Sequence, residues 1–473
     1  MRSAGGVRRG GTVKRASWLA LAIACSMAIA ACGSSGGSNG GLGGPKTTNS
    51  GNSADACKGK TLTASETGIT ATEIRVTVMA DVGSPLSPGL FQGSMDGVNA
   101  WAAYVNANGG VACRKVVVQE SDSKLSPDEA KNGITAACGK SVVLLGTTAL
   151  FLNDMRPAEG CKDKAGAATG IPDLPVLQTE PVEQCSAISF AVIPNGGSCP
   201  YSGKGVRSFK SVTPAIEWFK ANVQKDLHGI FVVPADLPST ITASTPIFHA
   251  IQQNGVKADG TFGASGLWTQ SQYTPVVQAI KSKNATWVMN GLDYAGTLKM
   301  RKEAQAQGVS SVKVWACSLQ CYSPNFIKEG GNAVDGQYAW LQILPFEDKG
   351  SNDTLDAFLQ YDKKPDAFGL QAFSAGLLFQ NVVEAIVAKS GPNAITRSAI
   401  LDQVRTVHDF DAGGLIVKTD VAGKNPSPCI AIVKVENGAW VRVDPVKKGT
   451  FDCNQPAAIT NISLDPLAAY KPS

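Results

Sequence analysis

From Glu73 onward, short β-branched apolar runs alternate with amphipathic stretches of helical length. The runs IRVTVMADV (74–82), KVVVQES (115–121), SVVLLGT (141–147), LPVLQT (174–179) and SFAVIP (189–194) read as strands. Between them, Leu90–Asn108 places Phe91, Met95, Val98, Trp101, Ala102 and Val105 on one helical face, and Pro127–Ala137 and Leu152–Lys164 also read as helices. A second alternation follows: helix Ile216–Val223, strand 229–235, helix Thr245–Gln253, a strand-like GTFGAS, helix Thr274–Lys283, strand 285–291 and helix Gly296–Gln307. Strands at 312–318 and 337–345 continue it. The last hundred residues differ, with an apolar helix at Ala372–Lys389, another at Ile395–Thr406, a strand at 414–419, and two strands within 430–443 joined by an Asn437-Gly438 turn. Alternating strand and helix predict an α/β fold with parallel sheets, and two such units in about 400 residues predict two lobes rather than one oversized sheet.

The first 65 residues do not share this pattern. Arg2, Arg8, Arg9, Lys14 and Arg15 precede the apolar run Ala16–Ala31, and no acid occurs before residue 32. That is the layout of a secretory signal, too short in its apolar part to span a bilayer. Residues 32–65 open with a Gly/Ser-rich stretch that has too few apolar side chains to order, and its random-coil span is roughly 25–30 Å, which suits a tether.

Charge removes some functions. The chain has 473 residues, with 43 Lys plus Arg against 38 Asp plus Glu. Discounting the five basic residues of the leader leaves 38 of each, so the body has no global attraction for nucleic acid. Gly139-Lys140-Ser141 imitates a phosphate loop, but Ile134 stands where the first glycine belongs, and a helix runs into a strand there rather than the reverse. No GxSxG elbow occurs, and three scattered histidines, His228, His249 and His408, offer little for base catalysis. The twelve cysteines include no CxxC pair, so no metal or cofactor is expected. Without Cys25 and Cys32 ten remain, an even number consistent with structural disulfides in an exported chain. Asp122, Asp236 and Asp293 fall at or just past predicted strand ends, where open α/β sheets bind ligands; helix capping or solvent exposure is the competing role for each.

Several strings, taken in order, carry a family resemblance. Ile29-Ala30-Ala31-Cys32-Gly33 resembles the lipobox of bacterial lipoproteins, whose cysteine is acylated. ETGITATEIRVTVMADVGSPLSPGLFQGSMDGVNAWAAYVNANGG, SPDEAKNGITAACGKSVVLLGTTALF, YTPVVQAIKSKNATWVMNGLDYAGTLKMRKEAQAQGV and FDAGGLIVKTD with its following hairpin resemble, in order, the substrate-binding lipoproteins of branched-chain amino acid transporters. The resemblance covers most of residues 66–445. It implies the type I periplasmic-binding-protein fold: two doubly wound parallel-sheet lobes, a three-crossover hinge, and a ligand cleft between them.

On that fold the expected divisions are a signal at 1–31, a tether at 32–65, one lobe from 66–207 and 346–414, the other from 208–345 and 415–455, and a tail at 456–473. The expected ligand residues are Ser84, Phe91, Thr147, Thr148, Leu150, Gln178 and Thr179 on one lobe, with Asp236, Asn290, Asp293, Tyr294, Ser318, Gln320 and Trp340 on the other. Where amino-acid-binding members place two hydroxyls and a carboxylate, this chain has Leu150, Val182 and Ser318, although Asp293 could take the carboxylate's place. The resemblance further implies disulfides Cys113–Cys138, Cys161–Cys185, Cys317–Cys321, Cys429–Cys453 and Cys57–Cys199. The function implied is that of a monomeric binding protein, held to the membrane by lipid on Cys32, which delivers a small polar or amphipathic molecule to an ABC permease and catalyses nothing. A receptor-coupled sensor and a carboxylate-dependent secreted enzyme are the alternatives.

Overall fold

A strand buried on both faces needs a largely apolar run, and in EIRVTVMA only Glu73, Arg75 and Thr77 interrupt one. In the computed structural model it forms β1 (Glu73–Ala80), fully buried from Val76 onward. The structure describes residues 57–84, 88–201, 205–213 and 215–464, so the expected signal, Cys32, most of the tether, positions 85–87 of the first ligand loop and the chain end lie outside the described residues.

β1 pairs in parallel with β2 (Lys115–Asp122) on one side and β3 (Val143–Leu145) on the other, and β3 carries β4 (Asp173–Leu174). This sheet stops early. Pro172 and Pro175 flank β4 and have no N–H for a ladder, so the expected strand 174–179 is two residues long. SFAVIP forms no strand beyond a single bridge from Ser189 to Asp173.

The second sheet has seven strands: β6 (His228–Pro234), β7 (Lys257–Ala264), β8 (Trp287–Asn290), β9 (Val314–Cys317), β10 (Gln337–Leu341), β11 (Ala431–Glu436) and β12 (Ala439–Asp444). Their order is β12-β11-β10-β9-β8-β6-β7, parallel from β7 to β10 and antiparallel at the hairpin, whose Asn437 and Gly438 both take positive φ as expected. Residues 414–419 contribute only isolated bridges, Ile343 to Ile416 and Phe410 to Thr419. Ile459–Leu464, read from the sequence as part of a tail, pairs instead with Arg207–Val212 in an antiparallel ribbon; these strands are β13 and β5.

Helices cover the sheets. The helix expected at 152–164 shrinks to one turn, Arg156–Glu159, with Pro157 in that turn and Gly160 closing it. The long helix begins earlier than expected, at Ala367–Ser390, because Asp366 caps it by accepting from Gly369 N at 2.6 Å. Its length and apolarity would suffice to cross a membrane, yet its apolar window is 83% buried inside the protein. It packs on the Gln92–Ala107 helix with almost no space between them. A β-carbon at Gly97 would overlap the carbonyl of Gly369, and one at Gly376 would overlap the fully buried indole of Trp101.

The disulfides are Cys57–Cys113, Cys138–Cys161, Cys185–Cys199, Cys317–Cys321 and Cys429–Cys453. The last two are as expected. The other three correct the expected Cys113–Cys138, Cys161–Cys185 and Cys57–Cys199: Cys57, just ahead of the first sheet, reaches Cys113, which frees Cys138 for the one-turn helix that ends beside Cys161.

Asp173 on β4 sits at the centre of a buried polar cluster. Its carboxylate accepts from Thr147 Oγ1 at 2.8 Å and Ser189 Oγ at 2.6 Å, and Gln178 Nε2 donates to Ser189 Oγ at 2.9 Å. Burial pushes Asp173 up to about 6, against those two hydrogen bonds and the attraction of Lys424.

Two outcomes follow from this packing. Gly97→Ala should lower the unfolding free energy by about 1–3 kcal/mol through overpacking, read as an earlier urea midpoint; an unshifted midpoint would mean that the two helices do not meet as described. Asp173 binds its proton near pH 4 when unfolded and near 6 when folded. The folded state therefore holds the extra proton in that window, and stability declines as pH rises through it. Asp173→Asn should remove a decline on the order of 2–3 kcal/mol between pH 4 and 7; a difference from wild type that stays constant with pH would assign the titration elsewhere.

Candidate functional site

In the first sheet the order reverses between β1 and β3, and in the second between β6 and β8. Loops leaving the carboxyl ends of strands at such switch points splay apart and leave a crevice. Here the loops from both sheets line one cleft of about 1050 Å³.

On the first-sheet side, Asp81 follows β1 directly and is buried. Its Oδ1 accepts from Ser123 Oγ and Leu125 N, both at 2.7 Å, and its Oδ2 from Leu150 N at 2.8 Å. One carboxylate thus ties together the loops after β1, β2 and β3. Burial holds its pKa above the ordinary value in spite of these bonds, and Asp122 adds to the rise. The wall in front of Asp81 is apolar: Leu125, Leu150, and Phe91 edge-on to Phe368 at 4.9 Å. Thr179 lines it too, with its hydroxyl donating to Leu150 O at 2.8 Å. Asp96 and Asp366 stand beside Phe91 and Phe368 in the wall. Burial, with Asp362 and Asp96 nearby, pushes Asp366 up to about 6.

The second-sheet side is built from the ends of β6, β8, β9 and β10. Asp236 follows β6 and accepts from Ser265 Oγ. Asp293 follows β8 and caps the Tyr294–Ala306 helix, with Oδ1 accepting from Gly296 N at 2.8 Å. Burial raises its pKa, Asp236 adds to the rise, and Lys299 opposes it. Ser318 donates to Gln320 Oε1 inside the loop closed by Cys317–Cys321. Trp340 on β10, Tyr294 and Tyr322 supply aromatic surface.

The cleft therefore gathers Phe91, Leu150, Thr179, Asp236, Asp293, Tyr294, Ser318, Gln320 and Trp340 from the residues picked out in the sequence. The structure places the others in supporting positions. Thr147 and Gln178 belong to the Asp173 cluster. Thr148 is buried behind the wall, its hydroxyl without a partner among the described residues. Asn290 is buried at the end of β8, where its Oδ1 accepts from Thr297 Oγ1 at 2.8 Å and Leu292 N at 3.2 Å. Ser84 is buried beside the loop residues outside the described set. Asp122 accepts from Val82 N and Lys124 N, a turn role that holds its pKa below the ordinary value.

Sequence reading missed Asp96, Asp366, Phe368, Arg207 and Phe248, all in the wall. A signal existed for one pair: Asp366 before an apolar run is a helix start, which would have carried the helix back past Phe368. None of the three histidines lines the cleft; His228 pairs with Asp259 and His408 with Asp420. Among the described residues no group of three or more His, Cys, Asp or Glu is placed to hold a metal ion.

Comparison with known proteins places this geometry. Solved structures with the same fold include a fatty acid ABC transporter substrate-binding protein from Thermomonospora curvata (TM-score 0.61, 16% identity, covering 83% of this chain and 95% of that one). A branched-chain amino acid transporter substrate-binding protein from Streptococcus pneumoniae, in complex with isoleucine, has TM-score 0.57 and 16% identity over 79% of this chain and 100% of that one. A solute-binding protein from R. palustris in complex with benzoate has TM-score 0.57 and 16% identity over 78% and 95%. Sequence comparison with curated proteins gives no significant match. The periplasmic binding protein family profile matches residues 73–439. With two parallel-sheet units opening on one cleft and a family match over most of its length, the chain belongs to the periplasmic binding protein family and has the type I fold.

Proposed function

We propose that this protein is the extracytoplasmic solute-binding component of an ABC importer. In this reading it takes a small polar or amphipathic ligand into the cleft, hands it to a membrane permease as a monomer, and performs no catalysis. The observation that carries this is the cleft itself: loops from the carboxyl ends of both sheets line one cavity of about 1050 Å³, at the upper end of the range that encloses small ligands. The named ligands of the structural neighbours, fatty acid, isoleucine and benzoate, support the general role and differ enough that none transfers directly.

The proposed lobes comprise residues 66–207 with 346–414, and 208–345 with 415–455, closing on each other about the crossovers. Residues 1–31 are the proposed signal, and Cys32, followed by the Gly/Ser-rich tether, is the proposed lipid anchor. The two acyl chains of a lipoprotein anchor hold stably where a single chain is marginal.

Ligand binding is the first test. The full chain, screened by thermal unfolding against amino acids, amides, short peptides, sugars and aromatic acids, should gain about 2.7 kcal/mol from a ligand present at a hundred times its Kd. Tyr294→Ala should weaken that ligand while leaving the unliganded midpoint in place, and unchanged affinity would remove this wall from the site. For the anchor, Cys32→Ser should move the protein from the membrane to the soluble fraction of cells. Continued membrane association of that variant would count against lipidation at Cys32.

A further inference from the structure

The charge on the cleft wall is one-sided. Asp96 and Asp366 stand on the first-sheet side, with Asp236 and Asp293 on the other. The basic residues of the wall are Arg207 and Lys364. Arg207 is already engaged: its Nε donates to Ser198 O at 2.9 Å, and its guanidinium lies over the rings of Tyr201 and Phe209. Lys364 is exposed, next to the Pro365-Asp366 segment.

Three donors at the first switch point are also spoken for. N–H groups at strand ends form a ready nest for an anion. Here Leu150 N and Leu125 N, together with Ser123 Oγ, already donate to the buried carboxylate of Asp81. The protein supplies its own anion, and a ligand carboxylate arriving at this wall would find those donors taken and a like charge behind them.

The walls between the acidic pairs are apolar and aromatic, from Phe91, Leu150 and Phe368 across to Tyr294, Tyr322 and Trp340. Aromatic faces favour organic cations as well as apolar surface. Burial and neighbouring carboxylates hold Asp366 and Asp293 above the ordinary range, in spite of their helix-capping hydrogen bonds and, for Asp293, the attraction of Lys299, and an entering cation would relieve this.

From these features we infer that the cleft takes an amphipathic organic ammonium: an apolar body bearing a positive charge and no carboxylate. This rests on the binding-protein reading above and narrows it. It separates this cleft from those of the neighbours whose named ligands, isoleucine and benzoate, carry a carboxylate.

The test uses shape-matched probes that differ in charge, on the full chain in detergent: isopentylamine, leucine and isocaproate as an aliphatic set, with phenethylamine, phenylalanine and 3-phenylpropionate as an aromatic one. At least one amine should raise the unfolding midpoint, while the corresponding amino acid and acid leave it unmoved. Asp293→Asn combined with Asp236→Asn should weaken that amine tenfold or more by calorimetry. Asparagine caps a helix about as well as aspartate, so the fold should be kept, and an unchanged unliganded midpoint checks this. Stabilisation by an acid or an amino acid would overturn the inference and leave the binding-protein reading standing. An amine that survives this double substitution should be lost on Asp96→Asn combined with Asp366→Asn, and one that survives both would also overturn the inference, since its charge would then be held outside the two acidic pairs. No shift from either set would overturn the inference for ligands of this size, and the broader screen would then decide the binding-protein reading separately.

Discussion

The contact between the Gln92–Ala107 and Ala367–Ser390 helices is the constraint on which the site depends. Gly97 against the Gly369 carbonyl and Gly376 against Trp101 let two backbones approach where any side chain would hold them apart. Some 260 residues of chain separate the two helices, so this contact brings the late part of the sequence back onto the first sheet. It also sets one wall of the cleft, because Asp366 and Phe368 open the second helix and Phe91 precedes the first. Loosening the glycine contact would therefore disturb cleft residues at both helices, from Phe368, next to Gly369, to Phe91, six residues before Gly97.

Much of this architecture was legible as hydrophobic period. Central strands announce themselves by mostly apolar runs, unbroken over 230–234 in β6 and interrupted only by Arg75 and Thr77 over 74–80 in β1, and the Asn437-Gly438 turn by its chemistry. The failures have local causes. LPVLQT and SFAVIP are as apolar as true strands, but the prolines around β4 interrupt the hydrogen-bond ladder, which a composition reading does not weigh. The Leu152–Lys164 stretch had helical spacing, yet Pro157 and Gly160 leave room for one turn. The ribbon of β5 and β13 pairs residues about 250 apart, and nothing in either segment names its partner.

At the site, position relative to strand ends was readable and side-chain orientation was not. Thr147 lies among loop residues that lead to the cleft, yet it turns inward to Asp173, while Leu150, three residues on, faces the cavity. Asp293 shows that capping a helix and lining the cleft need not exclude one another: one oxygen caps the helix while the residue lines the cavity. Asp81 is the opposite case. It follows β1 directly, where a ligand residue belongs, and instead gives its whole carboxylate to the protein.

The disulfide pattern bears on how such a chain is made. Each bridge joins a cysteine to the next one along the body of the sequence, from Cys57–Cys113 through to Cys429–Cys453, so no bridge encloses or crosses another. A chain that emerges amino-terminus first, meeting an oxidant as it does, would reach the native pairing simply by closing each thiol with its successor. Thiol oxidation in order of appearance is then sufficient, and the long return of the Ala367–Ser390 helix can come later without any bond having to be exchanged.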